Sequence, residues 1–502
     1  MAGGPNDRLS HNSKKVSKMT VSRRSFLRKV AGTAAACFAG GATLAGRTLA
    51  QAGNGSKGKR PNILVILADD YGYEALGANG GAFCGSADPK ALYRTALTGK
   101  AGKITSETPY RTPVLDKLAA EGVRFEHGYA QPLCTPTRVQ LMTGMYNVRN
   151  YVRFGLLDPK ATTFAHLLKK AGYATCVVGK WQLGGGFEGP GHFGFDEYCL
   201  WQLTRRPGRY PNPGLEINGK EVDTSGGKYG PAMVSDYACD FLRRHNDKPF
   251  CLYYPMMLTH CPFTPTPDSD DWDPNATGEP SYKGVAKYFP DMVKYMDKAV
   301  GKLLATLDEI GQRDNTLVIF MGDNGTDRPV VTKMPDGRII AGTKGRTNDG
   351  GTHVPLIASA PGGARGKVSH DLVDTSDILP TVCECAGVKV PASLAVDGRS
   401  FLPQLRGEKG TPRQWTYCWY SRQGVTEAAK VYARNQRYKL YSDRKMYDIP
   451  ADPLETSPLA ADSLSIEARK VRKMLQGVLD KYANARPAKL NQKPKPKKAK
   501  KR

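Results

Sequence analysis

Two short stretches of this 502-residue chain end apolar runs in clustered oxygen ligands. In NILVILADDYG, a β-rich run stops at two adjacent carboxylates, Asp69 and Asp70; in VIFMGDNG, a second such run stops at Asp323 and Asn324. Neighbouring carboxylates repel each other unless a cation lies between them. A single Asp-Asp after a strand is more often a turn and cap, but the repetition supplies three carboxylates and an amide. That all-oxygen set suits a hard divalent ion, Ca²⁺ with Mg²⁺ as the alternative, better than zinc.

A third stretch, QPLCTPTRVQLMTG, raises a different chemistry. Pro132 and Pro136 favour an extended chain turning into a helix, which sets Cys134 at the helix start. The helix dipole there favours an anion and lowers a thiol pKa. Arg138 lies one turn further on, within reach of Cys134 or of a nearby oxyanion. A cysteine that only fills a core needs no such surroundings.

The elements that must position these groups read as an alternation. Strand-like runs occur at 62–68, 173–179, 250–255, 316–322 and 354–359, and nearly uniform apolar character marks strands buried on both faces. Helical patterns fall at 112–125, with Thr112 as cap and Pro113 in the first turn, and at 164–171 and 286–312. The expected fold is α/β: a large, mostly parallel sheet sandwiched by helices. Ligands gather outside the carboxyl ends of strands in such sheets, where the two acidic clusters lie. Residues 185–232 and 262–284, rich in Gly, Pro, Asp and Arg, read as loops near the site. In WQLTRRPGRYPNP, Trp201 and Tyr210 are candidate stacking surfaces, and Arg205, Arg206 and Arg209 candidates for binding anions. Beyond 405 the texture changes to short strands and an amphipathic helix at 464–483, a smaller α+β subdomain over 406–486.

The chain resembles the type I, formylglycine-dependent sulfatases of the alkaline phosphatase superfamily. Cys134-Thr135-Pro136-Thr137-Arg138 matches their Cys-x-Pro-x-Arg signature, followed by LMTG. PNILVILADDYG, TPVLDKLAAEGVRFEHGYAQ, GYATCVVGKWQLG, GFDEY, LTHCPF, FMGDNG, GTKGRTNDGGTHVP, DTSDILPTV and MYDIPADPLE follow in family order, so the likeness spans 61–405 and continues into the subdomain. The resemblance implies an alkaline phosphatase-like fold and oxidation of Cys134 to Cα-formylglycine (3-oxoalanine) by a separate formylglycine-generating enzyme acting before folding. The hydrated aldehyde then serves as the nucleophile on sulfur. It further implies that Asp69, Asp70, Asp323 and Asn324 hold the cation with an oxygen of modified Cys134. Asp323 also assists deprotonation of the attacking hydroxyl, and Arg138 steadies the nucleophile. Lys180 and Lys344 bind sulfate oxygens, and His260 gives a proton to the leaving oxygen. One departure stands out: Gln182 occupies a position where the family usually carries histidine, and glutamine cannot take up a proton near neutral pH. His192 is a candidate substitute base.

The ends bear on location. SRRSFLRKVAGTAAACFAGGATLAGRTLAQAG has a twin arginine (Arg23, Arg24), a weakly apolar stretch and an Ala50-Gln51-Ala52 cleavage pattern, so 1–52 reads as a twin-arginine signal peptide. That route implies passage through the Tat translocase and a periplasmic or secreted protein. No membrane-spanning run follows, which argues against an integral membrane protein. Cargo of this pathway folds in a reducing compartment, and the ten cysteines after Cys37 show no zinc-ligand spacing, so most read as small buried hydrophobes. The net charge of +26 lies largely at the ends: residues 1–52 hold nine Lys/Arg and one Asp, and RPAKLNQKPKPKKAKKR holds nine more cations without an acid. Residues 487–502 read as a disordered basic tail. Nucleic acid is a poor partner for an exported protein; sulfated carbohydrate is the expected substrate. Two other readings stay open: a phosphodiester or phosphonate monoester hydrolase with the same nucleophile, and a catalytically weak sulfoglycan-binding protein.

Overall fold

The computed structural model describes residues 60–206, 208–276 and 286–491. The stretch 1–52 read as a signal peptide and residues 492–502 of the expected basic tail lie outside the described residues.

A ten-stranded sheet organises the chain, and its strand at Asn62–Ala68 shows why the run is uniformly apolar. Ile63, Val65 and Leu67 join the core on one face of the sheet, and Leu64, Ile66 and Ala68 join that on the other. Both faces are buried, so the alternation expected of a half-exposed strand disappears. The order across the sheet is Lys367–Asp374, Val123–Tyr129, Leu356–Ser359, Thr316–Gly322, Asn62–Ala68, Phe250–Pro255, Ala174–Lys180, Glu197–Trp201, Leu215–Ile217 and Lys220–Glu221. The centre is parallel: Asn62–Ala68 runs with both neighbours, Phe250–Pro255 with Ala174–Lys180, and Ala174–Lys180 with Glu197–Trp201. Leu356–Ser359 runs against both its neighbours, and Leu215–Ile217 and Lys220–Glu221 form an antiparallel edge. The mostly parallel α/β sheet is the expected one.

Register decides where the acids fall. Ala68 pairs with Gly322 and Leu67 with Pro255, so three chains leave the sheet side by side at their carboxyl ends. The Asp323 N–H donates to the Ala68 carbonyl (2.8 Å), the Asp69 N–H to that of Leu258 (2.8 Å) and the Thr259 N–H to that of Asp69 (2.7 Å).

Two sequence expectations differ from the structure. The helix placed at 112–125 spans only Pro113–Glu121; Gly122 leaves helical geometry, and Val123–Tyr129 is a sheet strand. Thr112 holds the cap position, but its hydroxyl donates to Asp116 instead, while the Asp297 carboxylate accepts from the N–H groups of Val114 and Leu115. Within 185–232, read as loop, Glu197–Trp201 and Leu215–Ile217 extend the main sheet; the surrounding Gly, Pro and Arg mask runs this short.

The C-terminal segment builds a four-stranded antiparallel sheet (Thr416–Tyr420, Lys430–Arg434, Tyr438–Tyr441, Met446–Asp448) and the helix Ile466–Tyr482. Tyr417, Trp419, Leu440 and Leu475 nevertheless belong to the same apolar cluster as Ile63 and Val65. Residues 488–490, placed by sequence in the tail, form a turn with Leu490 buried. Of the ten described cysteines, nine are buried, and Cys261 is half-buried.

Candidate active site

Asp69 and Asp70 follow directly from the strand end at Ala68, and a left-handed φ of 59° at Asp70 turns the chain so that both acids stay at the mouth of the sheet. The Asp70 N–H donates to Asp323 Oδ1 (3.0 Å), and Asn324 Nδ2 donates to Asp70 Oδ1 (2.9 Å), locking the two acidic loops together. Cys134 is the first residue of the helix Cys134–Thr143, every residue of which is buried. Thr137, one turn on, donates its hydroxyl to the Asp323 carbonyl (2.6 Å) and so fixes the helix start against the second acidic loop. Cys134 Sγ and carboxylate oxygens of Asp69 and Asp323 lie within 4.8 Å of one another, as do ligand atoms of Asp69, Asp70 and His260.

Cations ring these acids. Lys180, at the end of its strand, donates to both Asp69 oxygens (2.9 and 2.7 Å), and Lys344 pairs with Asp70. Arg138 Nη2 donates to Asp323 Oδ2 (3.1 Å), and its Nη1 to the Lys180 carbonyl (2.8 Å). Burial alone would raise the Asp69 carboxyl, but Lys180, His260, Arg209 and Arg138 hold it well below the usual carboxylate range. Asp70 and Asp323 go the other way. Burial, partly countered by Lys344, pushes Asp70 to about 6. Burial reinforced by the Asp69 charge pushes Asp323 to about 8.

Two sequence expectations need correction. The Cys134 thiol is not depressed: burial raises it, and Asp323 and Asp69 add to that against Lys180 and Lys344. Desolvation at the fully buried helix start outweighs the dipole. Of the two partners expected for Arg138, the sulfur or an oxyanion, the structure shows the second: its guanidinium donates to Asp323 and to the Lys180 carbonyl. Trp201 and Tyr210 are not stacking platforms; both are buried, with the Arg209 guanidinium lying 4.2 Å over the Trp201 ring and the Tyr210 hydroxyl donating to the Met257 carbonyl.

The structure brings Asp69, Asp70, Cys134, Arg138, Lys180, His260, Asp323, Asn324 and Lys344 to one place. His260 Nδ1 donates to the Cys261 carbonyl (2.5 Å), which leaves Nε2 facing Asp70 Oδ2 at 3.5 Å. Burial, then Arg209 and Lys344, depress its pKa well below 6.5. His192 lies elsewhere: it is exposed, with Nε2 against the Pro159 carbonyl.

Two contributors were missed. Arg209 was read as a loop anion binder, yet it is buried with Nη1 on Asp69 Oδ2 (2.9 Å). Thr326 accepts the Gly72 N–H (3.0 Å) and donates to the buried Glu74 carboxyl (2.5 Å), clasping the two acidic loops from beneath. The Arg-rich composition of 205–209 pointed to the first; nothing in the spacing of Glu74 and Thr326 pointed to the second.

The Sulfatase family model matches residues 61–388, and the model for the N-sulphoglucosamine sulphohydrolase C-terminal region matches 346–484. Arylsulfatase A of Bos taurus is 31% identical over 458 residues, covering 82% of each chain. N-acetylgalactosamine-6-sulfatase of Mus musculus is 31% identical over 389 residues, 69% of this chain and 67% of that one. Among solved structures, Ps i-CgsB aligns with a TM-score of 0.66 at 26% identity, over 86% of this chain and 94% of its own. The phosphonate monoester hydrolase of Agrobacterium radiobacter shares the fold at 18% identity and a TM-score of 0.58, over 85% and 96%. The chain belongs to the sulfatase family of the alkaline phosphatase superfamily and is a sulfuric ester hydrolase.

Proposed function

We propose that this sulfatase removes sulfate esters from carbohydrates, using formylglycine made from Cys134 and a divalent cation, Ca²⁺ or Mg²⁺, bound by oxygen ligands. The observation that carries this is the convergence of Cys134 Sγ with the Asp69 and Asp323 carboxylates within 4.8 Å, at the ends of two adjacent parallel strands. A carbohydrate substrate is supported by two related structures, one of Ps i-CgsB with k-i-k-neocarrahexaose and one of BT4656 with D-glucosamine-2-N,6-O-disulfate.

The donor set fits a hard cation. Asp69, Asp70, Asp323 and Asn324 offer oxygens, and Asn324 Oδ1 is a buried acceptor with no hydrogen-bond partner among the described residues. When bound, the cation would polarise a sulfate oxygen and favour ionisation of a hydroxyl beside it, and the hydrated aldehyde at position 134 would supply that hydroxyl. The remaining work falls to the chain. Lys180 and Lys344 bring ammonium groups to the rim of the acids, where they bind sulfate oxygens and stabilise charge as the ester bond breaks. Arg138, held by the Lys180 carbonyl, fixes the Asp323 carboxylate beside residue 134. His260 Nε2 points into the site and carries the proton for the leaving oxygen.

By its signal peptide and Cys-x-Pro-x-Arg motif, the protein is exported by the Tat translocase after maturation by a formylglycine-generating enzyme, to the periplasm or beyond.

Mass spectrometry of the peptide holding residue 134 tests the nucleophile: conversion lowers its mass by about 18 Da. Protein showing that shift should hydrolyse aryl and sugar sulfates, lose activity in chelator and regain it with Ca²⁺ or Mg²⁺. An active protein whose Cys134 is wholly unmodified would sink the proposal.

A further inference from the structure

A pocket of about 530 Å³ opens beside the acids, lined by Trp201, Arg206, Arg209, Asn212, Thr264 and Asn275 among others. Arg209, part of its lining, donates to Asp69, so the pocket adjoins the acid cluster on that side. A volume of this order takes a sugar ring with its substituents.

The lining is unusual for its charge. Among the described residues it contains two arginines and no Asp or Glu. Arg209 hydrogen-bonds to the protein only through Nη1, to Asp69 and to the Met257 carbonyl, which leaves the rest of its planar fork uncommitted among the described residues. Arg206 is exposed and forms no ion pair among the described residues, whereas Arg205 next to it is already paired with Glu221 (2.8 Å). Thr264 is wholly buried, and its Oγ1 has no hydrogen-bond partner among the described residues. A buried hydroxyl without a partner costs free energy that a bound polar group can recover.

Resting on the sulfatase reading and extending it, we infer that this pocket selects substrates carrying a second anionic group, a sulfate or carboxylate, on the sugar that holds the scissile ester. Arg206 is the specificity-determining residue, reading that group from the rim. Arg209 and the Thr264 hydroxyl complete its hydrogen bonds from the floor. Planar guanidinium groups suit the oxygens of either anion.

The test measures binding, so it is independent of turnover. In Cys134→Ala protein, dissociation constants are determined by calorimetry for matched hexoses and hexosamines bearing one sulfate or two. For at least one matched pair, the second sulfate should tighten binding about tenfold, the scale of one charge-assisted contact. Arg206→Ala should remove that gain while affecting the monosulfated ligand far less, and Arg206→Lys should keep part of it. Arg205→Ala, which deletes the same charge one residue away, should leave the ratio unchanged. A ratio near one for every pair, or equal losses for both ligand forms in Arg206→Ala, would overturn the inference. Failure of the sulfatase reading would show separately, as formylglycine-bearing protein that cleaves no sulfate ester.

Discussion

At the scale of single residues, Gln182 asks the sharpest question. It sits two residues past Lys180 with a left-handed φ of 58°, and its Oε1 is buried without a hydrogen-bond partner. His192 is turned to the Pro159 carbonyl, so it does not stand in for a base at that position. Histidine is among the residues that tolerate left-handed backbone, so Gln182→His should fold. An imidazole there titrates near pH 6.5 and can accept a proton that glutamine cannot. A general base contributes about 10²–10⁴-fold, and less where another group already serves. A modest rise in kcat is therefore expected with activated aryl sulfates, whose S–O cleavage is easy, and a smaller one with sugar sulfates. Rapid-mixing kinetics check the premise: slow release requires a pre-steady-state burst in the parent enzyme, and its absence would rule the premise out.

At the scale of elements, the helix Phe289–Glu309 caps the helix Pro113–Glu121 through Asp297. Its carboxylate accepts from the Val114 and Leu115 N–H groups (3.0 and 2.9 Å), yet burial pushes its pKa to about 6. A carboxyl raised on folding stabilises the fold fully below its unfolded pKa of 3.8, and that contribution fades as pH climbs through 6. The shift corresponds to about 3 kcal/mol. Asp297→Asn keeps an acceptor and removes the charge, so its Tm relative to the parent should improve between pH 4 and pH 8. A flat difference across that range would show that the carboxylate is not strained. This cap illustrates what a sequence reveals and what it hides. The strands at 62–68, 250–255 and 316–322 were legible because burial on both faces imposes an apolar run, and Asp69, Asp70, Asp323 and Asn324 were legible because they sit where two of those runs stop. Asp297 and Thr112 were not, because a cap donated across 183 positions leaves no local signature. The strand Glu197–Trp201 was hidden for a related reason: its pairing with Ala174–Lys180, not its own composition, makes it a strand. Trp201 and Tyr210 misled because an aromatic in an Arg-rich stretch has the same sequence signature whether it faces sugar or core.

At the scale of the molecule, Arg413 ties the C-terminal segment to the catalytic sheet. It donates to Asp377 (2.8 Å from Nε) and to the Tyr146 hydroxyl (2.7 Å), with Asp374 at 3.6 Å; these partners come from the strand end and helices around the site. Burial raises Asp377 to about 6 even beside Arg413, so the pair is held together at close balance. Arg413→Ala would strand two buried acids and should cost about 3–5 kcal/mol. Because the apolar cluster is shared, calorimetry should show one lowered transition rather than a separate melting of the C-terminal sheet. Two transitions would mean the segment is an autonomous domain. The buried cysteines carry a last consequence for the life history of the chain. Burial lifts their thiols away from the reactive range, to about 12 at Cys199, Cys383 and Cys418. While the fold is intact, an oxidising environment has little to act on. Once opened in such an environment, the chain exposes thiols that form no native disulfide among the described residues, and any bridge among them blocks the way back. There the unfolding rate, rather than the equilibrium stability, sets the working lifetime.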